Sequence, residues 1–195
     1  MHSRPSENPG SIAVGQARIV INCGGRPRHG MLTAMNIFTG QLLDELAARA
    51  MASPRGRTNF NIHSSAADPV QRYFIVASRQ SYFRPHRHLS KSELALVLRG
   101  QFDIITFDER GVVTGRYVVG GDADGFAYET PRATWHTLIV RADGGAFLEV
   151  KEGPYDPATA IEFASWAPAE GDASVPQFME WLRTAQPGEV PPAPG

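Results

Sequence analysis

Between Gln71 and Lys151 the chain falls into runs of four to eight residues rich in Val, Ile, Phe, Tyr and Thr, and turn chemistry interrupts nearly every run before an ordinary helix can form. The runs are 71–78, 81–88, 93–98, 102–107, 112–119, 126–129, 135–141 and 146–151. The breaks fall at Arg99-Gly100, 108–111, 120–125, 131–133 and 142–145, all built from Gly, Pro, Asp and their neighbours. Short strands at this spacing, with no helical segments between them, point to a sandwich or barrel and away from a parallel βαβ sheet. The fold class expected is therefore all-β.

Two blocks inside this region carry the chemistry. His86 and His88 stand two apart, so on a strand both imidazoles point to the same side and one cation can touch both. The polar connection 89–92 can then turn the chain so that the Glu93 carboxylate faces those rings. This block reads H-x-H-x4-E-x6-G and ends at Gly100. The second block, G-x5-P-R-A-T-W-H, runs from Gly125 to His136 and adds a third imidazole after a proline-marked turn. Trp135 precedes that ligand directly, so it points the other way, into packing. Three neutral imidazoles and one carboxylate leave a divalent ion with a residual charge of about one unit. Mixed nitrogen and oxygen donors admit one divalent transition metal ion, Fe, Mn, Ni, Co, Cu or Zn, without choosing among them. A tetrahedral ion would be closed off by four protein ligands, whereas an octahedral one keeps two positions for substrate.

The paired blocks resemble the two motifs of the cupin superfamily, whose usual metal ligands are three His and one Glu. More closely, SPRGRTNFNIH, DPVQRYF, YFRPHRH, VLRGQFDIITFDERG, TWHTLIV, EVKEGPYDP and WAPAEG resemble the WbuC-type cupin-fold metalloproteins, over residues 38–181. Departures fall at Gln80 and Ala133, where the general cupin pattern has Gly, and at Val140, where it has Asn. None is a ligand position. The resemblance implies a cupin double-stranded β-helix, a jelly-roll barrel, with His86, His88, Glu93 and His136 as metal ligands and a possible homodimer. It also implies an association with surface polysaccharide (O-antigen) biosynthesis.

At 195 residues and 42% hydrophobic content, the chain has the size of one domain with extensions. Residues 1–34 are rich in Gly, Pro, Ser and Arg and are expected to form a flexible extension. Residues 35–185 would form the single domain, and 186–195 a disordered tail. His2 and His29 lie in the extension and are discounted as ligands. Residues 38–51 read as an amphipathic helix on the outside of the barrel, and 174–183 as a short C-terminal helix. A formal net charge of −1 gives no general attraction to nucleic acid or to anionic membranes. The single cysteine, Cys23, excludes an internal disulfide. With no long apolar segment, a cytoplasmic location is expected.

A second tier of residues is expected to bind substrate. In RGRTNFNIHSS, Arg57, Asn61 and His63 share one face of a strand that either looks into the barrel or is a solvated edge; Tyr82 and Arg84 share the His86 face if that strand is regular, the other reading being a core Tyr82 and a solvated Arg84. Lys151 shares a strand face with Glu149, as a pocket cation and acid or as a plain ion pair. Convergence of Arg57, Arg84 and Lys151 would favour an anionic or polyhydroxylated ligand. The reading is a metal-dependent enzyme acting on a small polar or anionic metabolite such as a sugar derivative, with its catalytic residues unassigned. The alternative is a non-catalytic, metal-stabilised ligand-binding or regulatory module.

Overall fold

The computed structural model describes residues 35–141 and 143–192. The expected extension 1–34, with His2 and His29, lies outside the described residues. Met1–Thr39 and Gly40–Gly195 are two compact units. Of the first only 35–39 are described, and they form neither helix nor strand.

The second unit opens with helix α1 (Gly40–Ala52), followed by β1 (Arg57–Asn61), β2 (Val70–Ser78), β3 (His86–Arg87), β4 (Glu93–Arg99) and β5 (Gln101–Phe107). Then come β6 (Val113–Gly120), β7 (Ala127–Thr130), β8 (Trp135–Val140), β9 (Gly144–Glu152), β10 (Glu162–Phe163) and helix α2 (Val175–Thr184). The strands form two five-stranded sheets, ordered β1-β2-β9-β4-β7 and β10-β3-β8-β5-β6. Every pairing is antiparallel. Successive strands from β2 to β9 mostly alternate between the sheets, which gives the double-stranded β-helix, or jelly roll. The chain thus builds the two-sheet topology that its short strands require.

Alternation along the strands sorts the side chains into three layers. Between the sheets lie Ala77, Ala95, Phe102, Ile104, Leu138, Val140 and Phe147. On β2, Phe74 and Val76 point the other way, and α1 covers them with Leu46 and Ala50. On the far face of the second sheet, Ile105, Phe107, Trp135 and Ile139 lie under Phe178, Met179 and Leu182 of α2. Of the expected tail, 186–192 are described; Gly188 N donates to Val113 O at 2.8 Å, and Val113 N to Glu189 O at 2.9 Å.

Segment 81–88 departs from the regular strand expected of it, because only His86 and Arg87 are paired as β3. Pro85 has no N–H to give to a ladder, and pairing with β8 begins one residue later, at His86. The alternation that would have set Tyr82 beside His86 is lost with it. Tyr82 instead lies in the apolar layer under α2, its hydroxyl donating to Pro168 O at 2.9 Å.

Two turns hold the motif blocks in register. Gly100 has φ +71° between β4 and β5, and a Cβ there would sit 2.5 Å from Gly144 O, so the closing Gly of the first block is a steric requirement. Ala133 has φ +58°, a conformation costly for a residue with a Cβ, while its N–H donates to His88 O at 2.8 Å. Ala133→Gly is expected to stabilise the protein by about 1 kcal/mol, the left-handed penalty less the added entropy of the unfolded chain. That should raise the melting temperature by about 2–4 °C, measurable by scanning calorimetry.

Candidate metal centre

His86 and His136 are directly opposed in the β3–β8 pair, so their rings lie side by side, 4.5 Å between centroids. His88, two residues on, adds its ring 5.2 Å from that of His86. Glu93 opens β4 in the facing sheet and meets them across the interior. One donor atom from each of the four can be chosen so that all lie within 4.8 Å of one another. His88, Glu93 and His136 are buried, and His86 is half-buried.

Backbone carbonyls fix all three imidazoles. The Nδ1 of His86 donates to Arg84 O at 2.9 Å, that of His136 to Thr134 O at 2.9 Å, and that of His88 to Ala160 O. A carbonyl only accepts, so each Nδ1 carries the proton, and in the neutral ring Nε2 presents a lone pair. Those lone pairs meet a carboxylate: His88 Nε2 is 2.9 Å from Glu93 Oε1, and His136 Nε2 is 3.2 Å from Oε2. The first separation is short, yet its geometry is not that of a hydrogen bond, and His88 Nε2 is left buried without a partner. Burial, with His136 beside it, lowers the His86 pKa to about 3, so this ring stays neutral. Burial works to raise the Glu93 pKa, and the neighbouring Lys151 charge works to lower it. Lone pairs facing a carboxylate are favourable with a cation between them. The donor set, its spacing and the orphaned nitrogen therefore fit a metal ion.

The facing sheet supplies a polar wall. Lys151 Nζ lies 3.0 Å from Glu93 Oε1 and 2.9 Å from Glu149 Oε1. Burial works against the Lys151 charge, but Glu149 and Glu93 more than offset it and raise its pKa. Glu149 is pushed up by burial and then by the Glu93 charge. Tyr73 and Tyr128 complete the wall; burial raises both phenols, Tyr73 to about 12. Lys151 also lies 5.4 Å from the centre of the Tyr73 ring.

Of the residues expected to bind substrate, Lys151 touches the cluster with its side chain and Arg84 with its backbone carbonyl. His63 is buried at the end of β1, held by Arg72 backbone and set edge-on to Tyr73, with ring centroids 4.9 Å apart. Asn61 is exposed and accepts from Asn59 Nδ2 at 2.7 Å. Arg57 is ion-paired with Glu170 and donates to Tyr82 O at 2.7 Å. Arg84 donates to Ala164 O at 2.9 Å and lies over Phe163, 5.1 Å from its ring centre. The three cations therefore do not form a common anion site, because Arg57 is taken by Glu170 and Lys151 by two carboxylates. Glu149 was legible only as half of a strand-face pair, and Tyr73 and Tyr128 carried no signal beyond β-propensity.

The chain matches a domain of unknown function, DUF6016, over residues 38–119. No protein of curated function matches its sequence. It is similar in structure to protein SO0799 from Shewanella oneidensis, with 13% identity over 69% of this chain and 90% of that one, at a TM-score of 0.48. It is similar also to the capsular polysaccharide assembling protein CapF from Staphylococcus aureus, with 20% identity over 57% of this chain and 32% of that one, at 0.47. A third likeness is to L-ribose isomerase from Cellulomonas parahominis, with 11% identity over 59% and 72%, at 0.47. Among the described residues no helix is long and apolar enough to cross a membrane. The strand order, with donors from β3, β4 and β8 gathered between the sheets, makes this a double-stranded β-helix with four residues that could hold a metal ion.

Proposed function

We propose that the protein is a metal-dependent enzyme acting on a small, oxygen-rich metabolite such as a sugar derivative, with His86, His88, Glu93 and His136 as the metal ligands. The carrying observation is the gathering of three Nδ1-anchored imidazoles and one carboxylate in a single interior site. A divalent transition ion held there supplies Lewis acidity toward a ligand oxygen. The chain's own part is to orient. The carbonyls of Arg84, Thr134 and Ala160 fix the ring tautomers, Lys151 steadies Glu93, and Phe163 and Arg84 border the His86 side. The resemblance of the sequence to WbuC-type proteins supports a role in surface polysaccharide biosynthesis, in the cytoplasm.

The test is a thermal-shift screen of sugar acids, free sugars and nucleotide sugars against protein whose metal content has been measured by mass spectrometry. A ligand at 100 times its Kd stabilises the folded state by about 2.7 kcal/mol, or about 5–10 °C. Selective shifts that vanish on chelation are expected. A metal-loaded protein with no exchangeable water and no ligand response would instead mark the ion as purely structural.

A further inference from the structure

Residues 153–164 form a strap whose β10 is an edge strand of the second sheet. Both of its ends are anchored. Gly153 N donates to Pro69 O at 2.8 Å and Tyr155 N to Ala66 O at 2.7 Å, and at the far end Ala164 N donates to Pro85 O at 2.9 Å. Over 154–163 every residue but Ala160 is exposed, and the ladder of β10 on β3 is two residues long. This thinly held segment nevertheless touches two of the imidazoles. Ala160 O takes the Nδ1 proton of His88, and the Phe163 ring lies 6.3 Å from that of His86.

One pair of side chains closes the strap. Glu162 stands directly opposite Arg87 in the β10–β3 register, and its carboxylate takes two arms of the guanidinium, Nε to Oε2 at 2.8 Å and Nη2 to Oε1 at 3.2 Å. Arg87 lies between His86 and His88 in the chain, so its side chain leaves the strand on the face opposite theirs. It is held there independently of the strap: Nη1 donates to Glu109 Oε1 at 2.6 Å, and the guanidinium lies 4.3 Å from the centre of the Trp135 ring. The fork is therefore preorganised, and Glu162 is the half that can leave.

Resting on the metal-centre reading above, we infer that Arg87 and Glu162 are positioning residues of that centre: their pair latches the strap over His88, and a bound ion leaves only when the latch parts. The pair acts through Ala160. With the strap down, Ala160 O keeps the His88 proton on Nδ1 and leaves Nε2 to an ion; with the strap up, the ring is free to turn and its cover is gone. An ion on Nε2 draws charge from the ring and strengthens the Nδ1–H donor, so ion and strap stabilise one another by the same factor in either direction.

The experiment loads the full chain with Co²⁺, whose visible absorption reports its coordination, and follows release into excess EDTA beside hydrogen–deuterium exchange of peptides covering 156–164. In Glu162→Gln, release and strap exchange should both quicken by about 5-fold, the upper end for an exposed pair of bidentate geometry, because both pass through the same opening. Glu162 is exposed, so its replacement leaves the core intact. Glu162→Asp, which keeps the charge on a shorter arm, should fall between wild type and Glu162→Gln in both rates. In the wild type, Co²⁺ should slow strap exchange. Unchanged release from a Glu162→Gln protein whose strap exchanges faster, unchanged strap exchange in that variant, or strap exchange indifferent to Co²⁺ would overturn the inference and leave the metal centre standing. Protein that takes up neither Co²⁺ nor Zn²⁺ would sink both.

Discussion

Replacing His88 by alanine should lower metal affinity by ~100-fold or more, since it removes a direct donor where even the loss of an outer supporting group costs 10–100-fold. The reason lies in the unpaired nitrogen. His88 Nε2 is buried with no hydrogen bond, while its Nδ1 is tied to Ala160 O and its ring cannot turn to find another partner. Leaving such a group unsatisfied costs about 1–3 kcal/mol, which an ion at the cluster would offset. An ion at 1,000 times its Kd stabilises the fold by about 4 kcal/mol, so chelation of the wild type should lower its melting temperature by about 8–16 °C. In His88→Ala, with affinity ~100-fold lower at the same ion concentration, this metal-dependent increment should shrink to about 1.4 kcal/mol or less, or about 3–6 °C at most. The increment is the right readout, because the cavity left by the missing ring affects metal-free and metal-loaded protein alike. A variant that keeps both stoichiometry and increment would remove His88 from the ligand set.

The cluster was legible because its requirements are local and periodic. Two histidines at strand spacing share a face whatever else the chain does, and the glycine closing the first block is demanded by a positive φ and a close approach to Gly144. The same periodicity misled at Tyr82, where it assumed an unbroken ladder that Pro85 forbids. Lys151 was found by alternation, but its meaning depends on cross-strand register. Glu149 lies beside Tyr73 on one side and Ala95 on the other, and Tyr128 lies beyond Ala95. No pattern within a single strand specifies those neighbours. Arg57 shows the converse: its cationic character was plain, but its partner Glu170 stands 113 residues away in the segment before α2. Which charges are spent and which are free is settled by such long-range pairs, and that is why the expected anion site dissolves in the fold while the metal ligands gather.

Arg116→Met should destabilise the protein by about 3–5 kcal/mol, the cost of breaking a buried ion pair from one side. Arg116 on β6 does three things at once. Its Nη1 donates to Leu182 O at 2.8 Å and Ala185 O at 3.1 Å, and its Nη2 donates to Arg183 O at 2.8 Å. These are carbonyls at the end of α2, which have no partner within the helix. The same Nη2 reaches the buried carboxylate of Asp103 on β5, which Arg141 also contacts at 2.7 Å. One guanidinium therefore ties the C-terminus of α2 to the back of the sheet whose front carries His86 and His136. Methionine keeps much of the volume but supplies no donors. The melting temperature should fall by about 6–20 °C, and emission from Trp166 and Trp181, which pack against the α2 layer, should shift to the red below the main transition. Arg116→Lys should fall between the two, since an ammonium keeps the charge but loses the planar fork that serves several acceptors at once. Metal affinity should be unchanged at temperatures where the variant is folded, because the pair lies on the outer face and touches none of the four ligands. Stability within about 1 kcal/mol of the wild type would show that water replaces the guanidinium at no net cost, and that α2 is held by its apolar face alone.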